Sequence, residues 1–352
     1  MSVRMSEQPV ETIVIGGGQA GLATGYHLRG RDFVILDAGH EIGDSWRYRW
    51  ESLRLFTPAG FSHLPGMRLP AGREELPTKD AMAEYLLAYA DRFRLPVKLD
   101  TRVESVLRDG ADLLVGATDR QRWRARNVVI ANSAHGRPFV PDFAAALGEE
   151  VTQLHSSGYR RPSELSTGPV LVVGAGNSGA EIALDLARPT AGEPERVVYL
   201  AGRDVGHVPP LGRLTFPLVR LLGRAGVALF ERRLGGGGDP LVRIRPGDLE
   251  AAGIQRLPRV VGARDGLPLT DVGGTVEVNT VVWCTGFRPD HQFLRLPLLD
   301  ADGRLAHHRG VTDEPGVYIV GMRNQSSATS HLIGGVGRDA AYVVDHLARR
   351  SE

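Results

Sequence analysis

The chain has 352 residues, 42% of them hydrophobic, with a formal net charge of +1 and a single cysteine. A charge this close to zero gives no field that would select nucleic acid or an acidic membrane. One cysteine excludes an internal disulfide or a Cys-x-x-Cys redox pair, and no run of about 18 apolar residues predicts a transmembrane helix. The length favours two domains, or one domain with a second inserted in it. Because the N-terminus is too polar for a signal peptide, we expect a cytoplasmic protein.

The first predicted strand leads directly into a glycine-rich turn. Residues 12–15 are mostly apolar, and Gly16, Gly18 and Gly21 form a Gly-x-Gly-x-x-Gly pattern that opens a predicted helix at 22–28. In this pattern the first glycine permits a tight turn, the second lets the backbone approach a pyrophosphate, and the third allows close helix–strand packing. The free N–H groups at the helix start would face the phosphates. The pattern predicts a dinucleotide-binding unit; the alternative is a glycine-rich turn in another kind of α/β protein.

A second predicted strand, residues 33–37, ends in an acidic residue. Asp37 follows Gly16 by about 20 positions, the spacing expected of a carboxylate that binds a nucleotide ribose. The next loop contains two glycines and the Trp46-Arg47 pair. This composition suits a segment wrapped around a cofactor or, alternatively, a surface loop anchored by the tryptophan.

The segment before the second glycine turn mixes a helix with strands. Thr78 is a predicted N-cap for a helix whose apolar residues recur at helical spacing. From 97 to 131 the hydrophobic period changes to two, and four arginines alternate with other residues between 120 and 126. We interpret these arginines as the solvated face of a hairpin strand and not as a nucleic-acid site. A buried strand is predicted to follow from Val128.

A second succession of strand, glycine turn and helix begins at residue 170. Gly174, Gly176 and Gly179 repeat the spacing of the first turn, and the strand after the helix ends before Arg203 instead of at an acid. A carboxylate at this position hydrogen-bonds a ribose 2′-OH and repels a phosphate, whereas an arginine accommodates a 2′-phosphate. We therefore predict that the first unit binds FAD and the second binds NADPH. The alternative for Arg203 is a surface arginine without this role.

The rest of the chain offers weaker signals. Residues 207–250 interleave apolar residues with arginines and include a run of glycines, which favours a lid or the wall of a substrate tunnel over a membrane-surface element. Short strands are expected near 259–261 and 275–278. Cys284 lies within a predicted buried strand that ends in Thr285-Gly286 and is expected to be an inert core thiol. The adjacent histidines at 307 and 308 lack further ligands nearby, so no metal is expected.

Two sets of cofactor-binding residues are predicted. The FAD set is Gly16, Gly18, Gln19, Ala20, Gly21, Asp37, Ala38, Ser45, Trp46, Arg47, Val103 and Gly321. The NADPH set is Gly174, Gly176, Asn177, Ser178, Gly179 and Arg203. A last helix, opened by glycines near residue 334, would direct its N-terminus at the flavin and stabilise negative charge on the reduced ring. No side chain is assigned as a catalytic acid or base.

The order of these motifs resembles that of the flavin-containing monooxygenases of the class B flavoprotein group, especially the compact bacterial and YUCCA-like members. The resemblance spans nearly the whole chain and includes, besides the two turns, Gly43-x-x-Trp46-Arg47, His155-x-x-x-Tyr159 and Cys284-Thr285-Gly286-Phe287. It implies an α/β protein with two Rossmann-like three-layer dinucleotide-binding domains in a glutathione-reductase-like arrangement. Residues 8–165 and 284–352 would form the FAD domain, and residues 166–283 an inserted NADPH domain carrying the lid-like insert. His155 and Tyr159 would lie at the domain junction.

The resemblance also implies a reaction. NADPH reduces FAD, reduced flavin captures O₂ as a C4a-(hydro)peroxide, and one oxygen atom passes to a sulfur or nitrogen nucleophile, or to a carbonyl, of a small substrate. Tyr159-Arg160 stands where Baeyer–Villiger relatives carry Trp-Pro, which disfavours ketone oxidation. Two other functions are compatible with the sequence: an FAD-dependent NAD(P)H reductase acting on a quinone or a protein, and a non-catalytic dinucleotide sensor. The expected partners are a small substrate and O₂, and a homo-oligomer is compatible with the sequence.

Overall fold

The computed structural model of the protein describes residues 7–118, 120–132, 136–188, 196–208, 240–300 and 303–351. The strands are β1 (Glu7–Ile15), β2 (Phe33–Leu36), β3 (Val97–Lys98), β4 (Val103–Asp109), β5 (Asp112–Ala117), β6 (Arg122–Ile130), β7 (Arg137–Pro138), β8 (Thr152–His155), β9 (Val170–Val173), β10 (Val198–Ala201), β11 (Gln255–Leu257), β12 (Val260–Arg264), β13 (Leu267–Thr270), β14 (Thr280–Trp283), β15 (Phe287–Arg288) and β16 (Val317–Ile319). The α-helices are α1 (Gln19–Leu28), α2 (Asp44–Arg47), α3 (Lys79–Phe93), α4 (Asn177–Leu186), α5 (Pro246–Ala251) and α6 (Ile333–Ser351). Most of the predicted lid-like insert, residues 209–239, lies outside the described residues.

The first sheet is built around β1 and β6. Strands β3, β2, β1, β6 and β16 are parallel neighbours, and β5 and β4 extend the sheet antiparallel from the first half of β6. Ile13 and Val14 are fully buried because helices or strands cover both faces of β1. A strand that is buried on both faces appears in the sequence as a continuous apolar run, which is why β1 can be predicted from the sequence.

The second sheet is wholly parallel, with the order β11-β10-β9-β14-β8 among the described strands. All four residues of β9 and of β14 are buried. The two sheets with their helices confirm the predicted α/β fold of two Rossmann-like units. The pairing of β8 with β14 puts residues 152–155 in the second sheet, although the predicted boundary at 165/166 puts them in the first unit. The division into two domains, with its boundary at 165/166, stays a prediction.

Three helices share an apolar core with the first sheet: α1, α3 and α6. The predicted cap of α3 is present, since the Thr78 hydroxyl accepts a hydrogen bond of 3.1 Å from the Ala81 N–H. Within the described part of the chain, no helix is long and apolar enough to cross a bilayer.

Local predictions are confirmed in part. The basic hairpin strand is the first half of β6, paired antiparallel with β5, with Arg122 and Arg126 exposed and Trp123 and Ala125 buried. The buried strand predicted after it continues β6, and Arg120 lies in the turn before β6 with φ of 62°. A short helix, α2, forms inside the predicted loop. The strand expected at 275–278 is absent: β13 pairs with β12 instead, and only Thr275 forms a bridge, to Leu269. Val276 and Val278 are buried although they do not pair as a strand. Their alternation with polar residues is the pattern that led to the strand prediction.

A buried hydrogen bond ties the segment between β8 and β9 to α4. The Tyr159 hydroxyl donates to Asp185 Oδ2 at 2.8 Å, and both residues are buried. Burial, reinforced by the carboxylate of Asp185, raises the pKa of the phenol, so the hydroxyl remains a donor. On the other side, the Glu51 N–H donates to the Arg160 carbonyl at 2.8 Å. The segment around Tyr159 is therefore held from both sides.

Replacing Tyr159 by phenylalanine should destabilise the fold. Tyr159→Phe removes the donor and leaves a buried carboxylate oxygen of Asp185 without its partner, which costs about 1–3 kcal/mol. Urea denaturation of the two proteins measures this difference in the free energy of unfolding. The matched control is Tyr48→Phe, because Tyr48 is 54% exposed and should tolerate the change. Equal losses in both variants would contradict the importance of this hydrogen bond.

Candidate active site

One cleft is lined by the first glycine turn and by the start of α4, the helix that follows the second turn. It has a volume of about 1610 Å³. The predicted residues that line it are Gly16, Gly18, Gln19, Ala20, Asp37, Ala38, Ser45, Trp46, Val103, Asn177, Ser178 and Gly321. Most of the residues predicted to bind the two cofactors therefore line one cleft, and their role as a cofactor site stays a prediction.

The first glycine turn has the geometry that its spacing predicts. Gly16 has φ of 107°, and a Cβ added to it would lie 2.8 Å from the Ala131 carbonyl oxygen. A Cβ on Gly21 would overlap the Gly16 carbonyl oxygen, so α1 approaches the turn as only glycine permits. A Cβ on Gly18 would meet no atom within 4 Å. Gly21 thus serves packing, and Gly18 presents bare backbone to open space.

Asp37 is held rigidly beside this turn. Its Oδ1 accepts a hydrogen bond of 2.7 Å from the Gly39 N–H, and its Oδ2 accepts one from the Gly17 N–H. A carboxylate has about four acceptor positions, so both oxygens keep capacity for hydroxyl donors. Fixed by two backbone groups, Asp37 is oriented to accept hydrogen bonds from a bound ligand.

The segment after β16 forms another wall of the cleft. Gly321 has φ of 91°, and an added Cβ would lie 2.8 Å from Ala20 Cβ, so the chain passes close over the start of α1. The Gln19 amide donates to the His331 carbonyl at 2.9 Å, and the buried Gln325 accepts from the Gly321 N–H at 3.0 Å. This hydrogen-bonded segment fixes the distance between the first turn and the start of α6.

The second glycine turn repeats the first. Gly174 has φ of 111°, a Cβ on it would overlap the Cys284 carbonyl oxygen, and a Cβ on Gly179 would overlap the Gly174 carbonyl oxygen. A Cβ on Gly176 would meet nothing within 4 Å. These three glycines do not line the cleft themselves. Only the residues that follow Gly176 at the start of α4 reach it.

Asn177 makes contacts that its place in the motif does not predict. Its amide donates to the Pro240 carbonyl at 3.0 Å and its Oδ1 accepts from the Val242 N–H at 3.1 Å. Pro240 and Val242 also line the cleft. The side chain of Asn177 therefore fixes a wall of the site, in addition to any contact that its backbone offers a ligand.

Glu181 is a cleft residue that the sequence analysis missed. It is 7% exposed, and its Oε2 lies 3.1 Å from Arg243 Nη2. Burial raises the pKa of Glu181 to about 7, although Arg243 acts in the opposite direction. The sequence signal was an acidic residue four positions after Asn177, on the same face of a helix that begins in a dinucleotide turn.

Neither of the two arginines predicted to bind a cofactor, Arg47 and Arg203, lines the cleft. Arg47 does not line the cleft: its guanidinium lies 3.0 Å from Glu41 and 3.8 Å from Asp44, because the short helix α2 turns it toward these acids. Arg49, two residues further on, lines the cleft instead. Arg203 is exposed beyond β10, next to Gly202, whose carbonyl accepts a hydrogen bond of 3.0 Å from Arg256. Arg256 is a second cation at this edge that the sequence analysis missed.

The two predicted junction residues lie behind the cleft and not in its wall. His155 Nδ1 accepts from the Ser157 N–H at 3.1 Å, so Nε2 carries the proton and donates to the Gly286 carbonyl at 2.9 Å. Burial lowers the pKa of His155, which keeps the ring neutral. Tyr159 is buried against α4. Among the described residues, no group of three or more His, Cys, Asp or Glu side chains is placed to hold a metal.

Comparisons with known proteins agree with this geometry. The family model described as pyridine nucleotide-disulphide oxidoreductase matches residues 13–199. An uncharacterized oxidoreductase CzcO of Bacillus subtilis is 37% identical over 350 residues, which cover 96% of this chain and 99% of that protein. Indole-3-pyruvate monooxygenase YUCCA1 of Oryza sativa subsp. japonica is 30% identical, covering 88% and 86%. The structure of a flavin-containing monooxygenase from Stenotrophomonas maltophilia superposes with a TM-score of 0.80 at 30% identity, covering 98% and 100%.

Glu181 should make the stability of the protein depend on pH. Its pKa is raised from 4.5 to about 7 in the folded state, so between these values the unfolded chain loses the proton first. The free energy of unfolding should therefore fall as the pH rises through this range, by at most about 3 kcal/mol at about 1.4 kcal/mol per pKa unit. Urea denaturation at pH 5 and pH 8 should show a smaller fall in Glu181→Gln.

The control for this prediction is Glu51→Gln, because the Glu51 side chain is 57% exposed. It should retain the pH dependence of the unmodified protein. A Glu181→Gln variant with an unchanged pH dependence would show that the carboxyl is not the titrating group.

Proposed function

The chain belongs to the flavin-containing monooxygenase family, and from this membership we propose that it is an FAD- and NADPH-dependent monooxygenase acting on a small organic substrate with O₂. The observation that carries the proposal is that the first glycine turn and the start of α4 line one cleft. A hydride donor bound at α4 and an acceptor bound at the first turn would face each other within it. Turns on opposite surfaces would have excluded such a transfer.

FAD is assigned to the first unit because the residues there fit it. The bare backbone of Gly18 and the N-terminus of α1 suit a diphosphate, and Asp37 suits ribose hydroxyls. Ala38, Ser45, Trp46, Val103 and Gly321 would line the rest of the flavin nucleotide. Trp50 is 4% exposed in the same cleft wall, and its indole N–H has no hydrogen-bond partner among the described residues. When bound, FAD supplies the redox chemistry: hydride acceptance and activation of O₂ at its C4a position.

NADPH is assigned to the second unit. Gly176 offers the same bare backbone as Gly18, and the N-terminus of α4 offers free N–H groups at the cleft. Arg203, just beyond the carboxyl end of β10, and Arg256, within the neighbouring strand β11, would bind the 2′-phosphate. We retain the inserted-domain arrangement as part of this proposal, with His155 and Tyr159 connecting the two units.

Thiol–disulfide chemistry is not favoured for this chain. Cys284 is its single cysteine. Burial raises the pKa of the thiol, so the thiolate that such chemistry needs is disfavoured. Oxygen transfer and simple NADPH oxidation differ in the fate of O₂.

Isotopically labelled O₂ tests the oxygen-transfer proposal. Purified protein loaded with FAD should consume NADPH, and a thioether or amine product should contain one labelled oxygen atom. Rapid mixing of the reduced protein with O₂ should show a transient that absorbs at shorter wavelength than oxidised FAD. NADPH consumption with no labelled product from a panel of thioethers, amines and 2-oxo acids, together with direct return of oxidised FAD, would favour a reductase instead.

Replacing Arg203 by alanine tests the choice of nucleotide. Because the guanidinium would make charge-assisted hydrogen bonds to the 2′-phosphate, Arg203→Ala should raise the KM for NADPH roughly 10- to 100-fold and leave that for NADH nearly unchanged. Steady-state kinetics with both nucleotides measures the difference. Arg264→Ala, which removes another exposed arginine, should change neither value. Equal effects on NADPH and NADH would show that Arg203 does not contact the 2′-phosphate.

A further inference from the structure

Arg49 is a half-buried cation that lines the cleft. Its Nε donates to the Ser45 carbonyl at 3.0 Å, and its guanidinium carbon lies 5.7 Å from the centre of the Phe287 ring. Among the described residues it forms no ion pair, and the remaining guanidinium N–H groups have no protein acceptor. The charge is therefore held in place by a carbonyl and a ring, but it is not neutralised.

A second arginine, Arg160, lies near Arg49 and adds to the positive charge there. In the part of the chain that the structure describes, the nearby Arg160 also donates only to carbonyls, those of Ser157 at 2.7 Å and of Tyr159 at 3.0 Å. Burial, and then the charge of Arg160, lower the pKa of Arg49. Arginine stays protonated even so, which means that two positive charges share a partly desolvated site.

The acids near this site in the chain are engaged elsewhere. Glu41 and Asp44 pair with Arg47, and the exposed Glu51 lies 3.4 Å from Arg161. A half-buried charge without a counter-ion is unfavourable in the folded protein unless a ligand supplies the opposite charge. The arrangement therefore points to an anionic ligand group.

The position of Arg49 indicates which anion this is. Phe287, over which Arg49 lies, stacks edge-on against His155 at 4.9 Å between ring centres, and His155 donates to the Gly286 carbonyl. Cys284, between β14 and Phe287, contacts the second glycine turn, because a Cβ on Gly174 would overlap the Cys284 carbonyl oxygen. Arg49 therefore reaches from the first unit toward the turn at which a dinucleotide diphosphate binds.

We propose that Arg49, supported by Arg160, binds the diphosphate of the pyridine dinucleotide from the side opposite the N-terminus of α4. The inference rests on the proposed function, since it needs a pyridine nucleotide at the second turn. In this proposal Arg49 belongs to the FAD unit and the nucleotide binds to the second unit, so nucleotide binding would draw the two units together. The same chemistry could bind a substrate carboxylate, and the experiment separates the two sources.

The experiment measures the binding of NADP⁺ and NAD⁺ to the oxidised, FAD-loaded protein by isothermal titration calorimetry. Arg49→Met removes the charge and keeps an apolar stem against Phe287. Because both nucleotides contain the diphosphate, the variant should bind each of them roughly 10- to 100-fold more weakly. Arg49→Lys should recover part of the loss. Arg54→Ala, which removes an exposed arginine of the same loop, should bind both nucleotides normally.

Each outcome decides the assignment. Equal weakening for NADP⁺ and NAD⁺, with the FAD content and melting temperature of Arg49→Met at or above those of the unmodified protein, supports it. Unchanged binding of both nucleotides overturns it and leaves Arg49 available for an acidic substrate. Weakening for NADP⁺ alone places Arg49 at the 2′-phosphate and also overturns it. Unmodified protein that binds neither nucleotide would overturn the proposed function itself, together with this assignment.

Discussion

The structure depends on one close contact, between a helix and the glycine turn before it, that occurs in both dinucleotide-binding units. At Gly21 and at Gly179 a helix passes so near the carbonyl oxygen of the first glycine of its turn that any Cβ would overlap it. This contact sets the angle at which α1 and α4 leave their strands and directs both helix N-termini toward the cleft. The positions of Asp37, Gly321 and Asn177 follow from these two angles, since each packs beside one of the turns.

The cleft offers an anion a local cation, although its lining contains acids as well as arginines. A formal net charge of +1 provides no long-range attraction for anions. Attraction instead arises locally, from the two helix N-termini and from Arg49, while Arg47 next to it is neutralised by acids. Glu181, which also lines the cleft, lies 3.1 Å from Arg243. A local site of this kind suits a dinucleotide with a compact diphosphate better than an extended polyanion.

The parts of the site that sequence reasoning finds are those encoded by short, contiguous patterns. The two glycine turns, the acid at Asp37 and the cap at Thr78 each depend on residues within one supersecondary unit, and all of them are where the pattern places them. Side-chain direction is different. Arg47 and Arg49 are two positions apart, and only the formation of α2 decides which of them meets the acids and which meets the cleft. Likewise, no local signal shows that the strand before residue 165 pairs with β14 more than 100 positions later.

The contacts of α4 connect the cofactor question to the substrate question. Asn177 and Glu181 lie one turn apart on the same helix face and hold the Pro240 carbonyl, the Val242 N–H and the Arg243 guanidinium. Residues 207–208 join the same segment, since the Val208 N–H donates to the Leu241 carbonyl at 2.9 Å. The helix whose N-terminus is proposed to bind the nucleotide therefore also fixes the cleft wall formed by Val208, Pro240 and Val242. Because two hydrogen bonds and an ion pair join α4 to this wall, any displacement of the helix would alter the wall and the volume of the cleft beside it.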